Sequence, residues 1–148
     1  MILTKAKQSD IEGLVELLTN LFEQEKEFQP NPDLQRKALS RIILNSEVGV
    51  ILVAKVDQKI LGMLNLLFTQ STALGSRVAI LEDMIVSADS RGMGVGSLLI
   101  DFAIEEASNL GCKRITLLTD NDNIGAQSFY EKKGFMKSTM TPFRLFID

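Results

Sequence analysis

The sequence predicts a single α/β domain, of the α+β kind, in which a mixed and mostly antiparallel sheet of six to seven strands is flanked by four helices. Three observations predict it. Apolar residues recur at helical spacing in two segments before residue 45 and two after residue 94. Between them lie runs rich in Val, Ile and Leu, broken by short polar turns, as strands are. The order that results, β-α-α-β-β-β-α-β-α-β, puts a hairpin in the middle of the chain instead of repeated βαβ units.

Each element has its own local reason. Residues 2–7 open the chain as a short apolar strand. Ser9 stands three residues before Glu12, the spacing of a capping box. Ile11, Leu14, Val15, Leu18, Leu21 and Phe22 then mark one face of a helix over 10–26. Pro30, Asn31 and Pro32 end it. Asn31 as N-cap with Pro32 in the first turn starts a second helix, with Leu34, Ala38, Ile42 and Ile43 expected to face inward. Val48–Val56 and Ile60–Thr69, joined through Asp57-Gln58-Lys59, form a hairpin, and Val78–Val86 adds a strand after a small polar loop. Val95, Leu98, Leu99, Phe102, Ala103, Ala107 and Leu110 give an amphipathic helix closed by Gly111. A short strand at 113–119, a cap-rich turn Asp120-Asn121-Asp122-Asn123, a helix ending at Gly134 and a final strand interrupted near Pro142 complete the order.

Bulk composition narrows the function classes. The 148 residues are 45% hydrophobic and 24% charged, an ordinary globular balance for one domain spanning 1–148. The net charge of −3, with no basic stripe, speaks against a nucleic-acid partner. Nothing resembles a leader segment or an apolar stretch of ~18 residues, so no membrane partner is expected and the chain reads as cytoplasmic. Cys112 is the one cysteine, which suits a reducing compartment. The chain has no histidine. That removes Ser-His-Asp and Cys-His triads and most zinc sites, and no metal is expected.

The residues Arg91-Gly92-Met93-Gly94-Val95-Gly96 place three glycines between a strand and a helix. Glycine permits positive φ and close approach of a ligand to the backbone. The helix that follows offers N–H donors and the positive end of its dipole, so the turn is suited to a phosphate or pyrophosphate. A plain tight turn is the competing account. Ser97-Leu98 after Gly96 does not match a P-loop, and Ser97 stands where a dinucleotide fingerprint needs glycine. Glu82 and Asp83 break the apolar pattern of their strand, the kind of local contradiction that marks function.

Arg91-Gly92-Met93-Gly94-Val95-Gly96 resembles the R-x-x-G-x-G motif of the GCN5-related N-acetyltransferases, the GNAT superfamily. Asn123-x-x-Ala126-x-x-Phe129-Tyr130 with Gly134-Phe135 resembles that family's second region, about 30 residues on and in the right element order. The resemblance covers essentially the whole chain and implies the GNAT fold. It also implies acetyl-CoA as cofactor and transfer of its acetyl group to a primary amine of a small molecule or protein, by direct attack in a ternary complex. The coenzyme A pyrophosphate would rest on the backbone from Arg91, Gly92 and Met93 through Gly94, Val95 and Gly96 to Ser97. The pantetheine arm would lie along Met84, Ile85 and Val86, with Asn123 bonding that arm or a water.

Roles follow from the same resemblance. Tyr130, the chain's one tyrosine, takes the position of the general acid for the departing thiolate and touches the cofactor. Glu82 is the favoured general base, with Asp83 or a water chain as the alternatives; Asp83 otherwise orients a loop or contacts the substrate, and a structural, partly buried pair is the competing account of both. Alternation along the strand would place these two carboxylates on opposite faces. Substrate-selecting residues would sit near the end of the first helix, where Glu25 could meet a cationic acceptor. Cys112, at a helix-to-strand junction with no histidine to activate it, is structural. Relatives in the superfamily commonly dimerise, so a homodimer is expected. A non-catalytic acetyl-CoA-binding sensor is the alternative, which would need neither Tyr130 nor a strand carboxylate.

Overall fold

A computed structural model describes residues 1–24 and 29–148. Internal contacts group these into two compact units, Met1–Leu118 and Thr119–Asp148.

The first unit holds a five-stranded sheet: β1 (Ile2–Lys5), β2 (Gly49–Val56), β3 (Lys59–Ser71), β4 (Ser76–Val86) and β5 (Ile115–Leu117). The strands lie in sequence order across the sheet. Neighbours from β1 to β4 are antiparallel, and β5 joins β4 in parallel. The β2–β3 hairpin turns on Asp57, whose φ of 55° is left-handed. A bulge shifts its register between Ala54 and Lys55.

Helices cover both faces. From α1 (Ile11–Gln24) and α2 (Pro32–Leu44), Leu14, Leu17, Leu18 and Leu39 pack in one cluster with Ile51, Val53, Met63 and Ile85 of the sheet. Alternation sends Leu52, Ala54, Leu64 and Leu66 to the other face, where α3 (Val95–Asn109) lies against β2, β3 and β4. Gly62 allows the approach: a Cβ there would stand 2.8 Å from Leu99 Cδ1 and 3.1 Å from the Ile85 carbonyl oxygen. The inward residues of α3 are Val95, Leu99, Ile100, Ala103 and Ala107, whereas Leu98 is exposed.

Local signals at the helix starts were partly redirected. Asn31 caps α2 as its sequence predicts, accepting from the Leu34 N–H at 3.3 Å. Leu34 and Ala38, expected inside, are exposed, and Gln35 and Leu39 hold the buried positions. At α1 the expected Ser9–Glu12 box gives way to Asp10, whose carboxylate takes the Lys7 N–H at 2.8 Å in a short 3-10 turn. Glu12 instead binds Arg36 of α2 through two hydrogen bonds of 2.8 and 2.9 Å.

The second unit contains α4 (Ile124–Lys132) and the segment after it. The final strand expected from Phe135 onward does not form, so among the described residues the sheet has five strands, not six to seven. Alternating apolar residues record only that a segment can bury one face, and here Met136, Phe143, Leu145 and Ile147 all remain exposed. Among the described residues no helix is long and apolar enough to cross a membrane.

Candidate active site

Cross-strand register locates the first feature. Asn65 pairs with Glu82 and Met63 with Ile85, so Leu64 faces two residues of β4, Asp83 and Met84. This is a β-bulge, and the extra residue bends the strand. Asp83 carries the cost in its backbone, with a φ of 56° that non-glycine residues rarely adopt. Asn65, only 3% exposed, donates from Nδ2 to Asp83 Oδ2 at 2.7 Å. Cross-strand partners share a face. Glu82 therefore lies on the face of Asn65, and Asp83 reaches the same side chain, so the bulge overrides the alternation that would separate the two carboxylates. Glu82 is exposed and Asp83 half-buried.

The second feature is an opening in the sheet. β5 pairs with β4 only at Ala79, Ile80 and Leu81. Among the described residues, the register between β4 and β5 ends at Leu81, and β4 runs on past it to Val86. Backbone groups along such an edge can bond an extended ligand as they would a strand. Ile85 is buried and points into the α1 face, while Met84 and Val86 are half-buried. Next to this stretch lies a cavity of about 290 Å³ lined by Leu17, Asn20, Ile85, Val86, Ser87, Ala88 and Arg91. Leu17 and Asn20 were not among the sequence candidates. Asn20, a polar residue set among the apolar residues of α1, was the available signal.

At its end β4 runs into the glycine turn. Ser87 Oγ donates to Ser90 Oγ at 3.1 Å, and Ser90 is buried. Arg91 Nε donates to the Val86 carbonyl at 3.3 Å, folding that side chain back along β4. Gly92 and Gly94 have φ of 78° and 83°, and an added Cβ on either would meet nothing within 4 Å. The outer side of the turn is thus open, and glycine is required by the backbone itself. Gly94 is the N-cap of α3 and has no side chain with which to cap it. An uncapped, positively polarised helix start beside an open turn fits an anionic group. Val95 is 3% exposed, so its contribution could come only from its backbone, whereas Met93 is 71% exposed.

In the second unit, Asn123 caps α4: its Oδ1 accepts from the Ala126 N–H at 3.0 Å. Tyr130 is half-buried, with its ring edge-on to Phe129 at 5.2 Å and to Phe135 at 5.7 Å. Burial raises its phenol above the ordinary tyrosine range, keeping it protonated near neutral pH. Burial likewise raises the Cys112 thiol, against the weaker opposing pull of Arg77, which makes it a poor nucleophile. Glu25 lies outside the described residues. Among the described residues, no group of three or more His, Cys, Asp or Glu could hold a metal ion.

A strand opened at a bulge, running into a glycine turn at a helix start, suits a long ligand with an extended amide-bearing arm and phosphates. The chain belongs to the acetyltransferase (GNAT) family, whose model matches residues 11–135. It is 33% identical over 141 residues to the uncharacterized N-acetyltransferase YhfO of Bacillus subtilis (strain 168), covering 94% of this chain and 92% of that one. The crystal structure of a probable acetyltransferase matches with a TM-score of 0.86 at 26% identity, over 100% of this chain and 99% of the other. That of a transcriptional regulator from Bacillus halodurans C-125 matches with a TM-score of 0.84 at 31% identity, over 99% of each chain.

Proposed function

We propose that the protein, as one catalytic domain spanning the chain, transfers the acetyl group of acetyl-CoA to a primary amine of a small molecule or protein. The observation that carries the reading is the run of β4 that continues past the end of its register with β5 at Leu81, through the bulge and on to the open turn at the start of α3. Backbone from Arg91 to Ser97 would hold the pyrophosphate, and Met84, Ile85 and Val86 the pantetheine arm. Asn123, already capping α4 through Oδ1, would meet the arm through its side-chain amide. Bound there, acetyl-CoA supplies an activated thioester carbonyl.

The chain's own groups then manage two protons. An amine with a pKa near ~10.4 needs about 4–5 kcal/mol to lose its proton at pH 7. Glu82, exposed beside the bulge, accepts that proton directly or through water, and the nitrogen lone pair attacks the carbonyl carbon. Asp83, held by Asn65, orients the acceptor. As the carbon–sulfur bond breaks, Tyr130 gives its proton to the departing sulfur. Its burial suits this role, since a neutral phenol does not repel an anionic cofactor. The reading includes Glu25 as a contact to a cationic acceptor, a homodimer and a cytoplasmic location, where a lone reduced thiol such as Cys112 is ordinary.

Calorimetric titration with acetyl-CoA, followed by thiol release across a panel of amines, tests the reading. Binding with turnover on at least one amine is expected, and Glu82→Gln should move the pH optimum upward. Absence of acetyl-CoA binding would end it. Tight binding with no turnover would favour a non-catalytic acetyl-CoA sensor, the reading to which the similarity to a transcriptional regulator lends support.

A further inference from the structure

We propose that Asn20 of α1 is a cofactor-binding residue, its side-chain amide pairing with an amide of the pantetheine arm across the cavity beside β4. The inference rests on the acetyl-CoA reading above and adds to it a contact from α1. The cavity, about 290 Å³, lies at the low end of the range for small-molecule pockets. It has room for a segment of a ligand, not for a whole coenzyme. An arm laid along Met84, Ile85 and Val86 passes its mouth, because Ile85 and Val86 are themselves part of the wall.

Asn20 is an unusual residue for its place. α1 runs from Ile11 to Gln24, so position 20 lies inside the helix and not at a cap. Asparagine is a weak helix former there, because its side chain competes for backbone hydrogen bonds. Leu17, three residues earlier on the same side of the helix, is 5% exposed, whereas Asn20 is exposed. That side of α1 passes from core to cavity between these two residues, and both line the cavity.

The chemistry of the wall selects the occupant. Leu17, Ile85, Val86 and Ala88 are apolar, which suits the methylene and methyl groups of the arm. Ser87 gives its hydroxyl proton to Ser90 and so meets a ligand as an acceptor. Arg91 carries the charge of the wall, but its Nε is already bound to the Val86 carbonyl. Asn20 brings an acceptor oxygen and two N–H donors on one planar group. A secondary amide set between carbon stems matches these partners. A phosphate needs several donors together, and the uncapped start of α3 supplies them instead.

Calorimetric titration with acetyl-CoA and with its nucleotide portion alone, 3′-phospho-ADP, separates the arm from the phosphates. Asn20→Leu removes the amide at similar volume on an exposed site, so the urea midpoint should not change. The variant should bind acetyl-CoA about 3–10-fold more weakly, the loss of one hydrogen bond, and 3′-phospho-ADP as before. In isotope-labelled wild type, the side-chain amide signal that Asn20→Leu abolishes should shift with acetyl-CoA and stay in place with 3′-phospho-ADP. Equal weakening of both ligands, or an unchanged acetyl-CoA affinity, overturns the assignment of Asn20 while leaving the acetyl-CoA reading intact. A wild type that binds no acetyl-CoA brings down that reading, and this inference with it.

Discussion

Asn65 Nδ2 lies 2.7 Å from Asp83 Oδ2, and this hydrogen bond spans the bulge that opens β4. It ties a nearly fully buried amide to a residue whose backbone sits in the left-handed region. An ionised carboxylate only accepts, so the bond fixes which end of the Asn65 amide faces it and leaves Oδ1 buried without a partner. Two unfavourable features, a strained φ and an orphaned acceptor, thus sit at one place in the sheet. Strain of this kind persists where the surroundings over-determine it, and it clusters at functional sites.

Asn65→Leu removes the donor while keeping the volume. It should cost about 1–3 kcal/mol in urea unfolding and lower turnover more than acetyl-CoA affinity. Asn65→Asp places a second carboxylate beside the first, which raises the folded-state pKa of one of them above its unfolded value. Its stability deficit should therefore be small near pH 4 and grow as pH rises to about 7. A deficit that does not change with pH would show that Asp83 is not the neighbour that matters.

Gly94, in the turn before α3, and Gly125, inside α4, make a contrasting pair. Gly94 sits at φ 83°, so an alanine there meets no atom yet costs about 1–3 kcal/mol of backbone strain. Gly125, inside α4 with only Asn123 Oδ1 at 3.9 Å from an added Cβ, has no such φ. Gly125→Ala should be neutral or stabilising by about 0.5–1 kcal/mol. Acetyl-CoA titration should weaken for Gly94→Ala. Equal urea midpoints for the two variants would contradict this reading of the turn.

What could be read in the chain beforehand was local. Asn31 at its cap, Gly111 after α3 and the glycine turn declare themselves through neighbours one to four residues away, and each stands where the pattern put it. The bulge depends on register with β3, some eighteen residues off, and left only a trace: two carboxylates in an apolar strand. Asn65 was overlooked because it stands in Leu64-Asn65-Leu66-Leu67, which reads as an unbroken strand. Its one polar side chain was the signal that could have found it. The inward face of α2 was misread because Leu34 and Ala38 fit the period, while the face was set by packing on β2 and took Gln35 instead. The C-terminal segment was misread as a strand because a strand pattern names no partner.

Tyr130 allows a test by pH. Its phenol is raised by burial, so its neutral form is favoured in the folded chain. That contribution to stability is complete below the unfolded phenol pKa and is lost as pH rises through the higher folded value. As general acid it must also be protonated, so the alkaline limb of the pH–rate profile should report its ionisation. Tyr130→Phe should cut turnover by roughly 10²–10⁴-fold, leave acetyl-CoA affinity nearly intact and abolish that limb. Unchanged turnover would remove Tyr130 from the mechanism.

Asp10 and Lys55 form an ion pair in which the side chains are 5% and 13% exposed, joining the turn before α1 to the bulged end of β2. Asp10 also accepts the Lys7 N–H, so its carboxylate both caps the turn and holds the pair. Lys55→Met leaves a buried carboxylate without its cation and should cost about 3–5 kcal/mol. The double variant Asp10→Leu, Lys55→Met removes both charges and should recover most of the loss, remaining short by about 1 kcal/mol for the missing cap. Urea unfolding of the two single variants and the double gives the coupling between them. Additive losses would mean that the two charges do not depend on each other, and that the cap at Lys7 alone explains why a carboxylate is buried there.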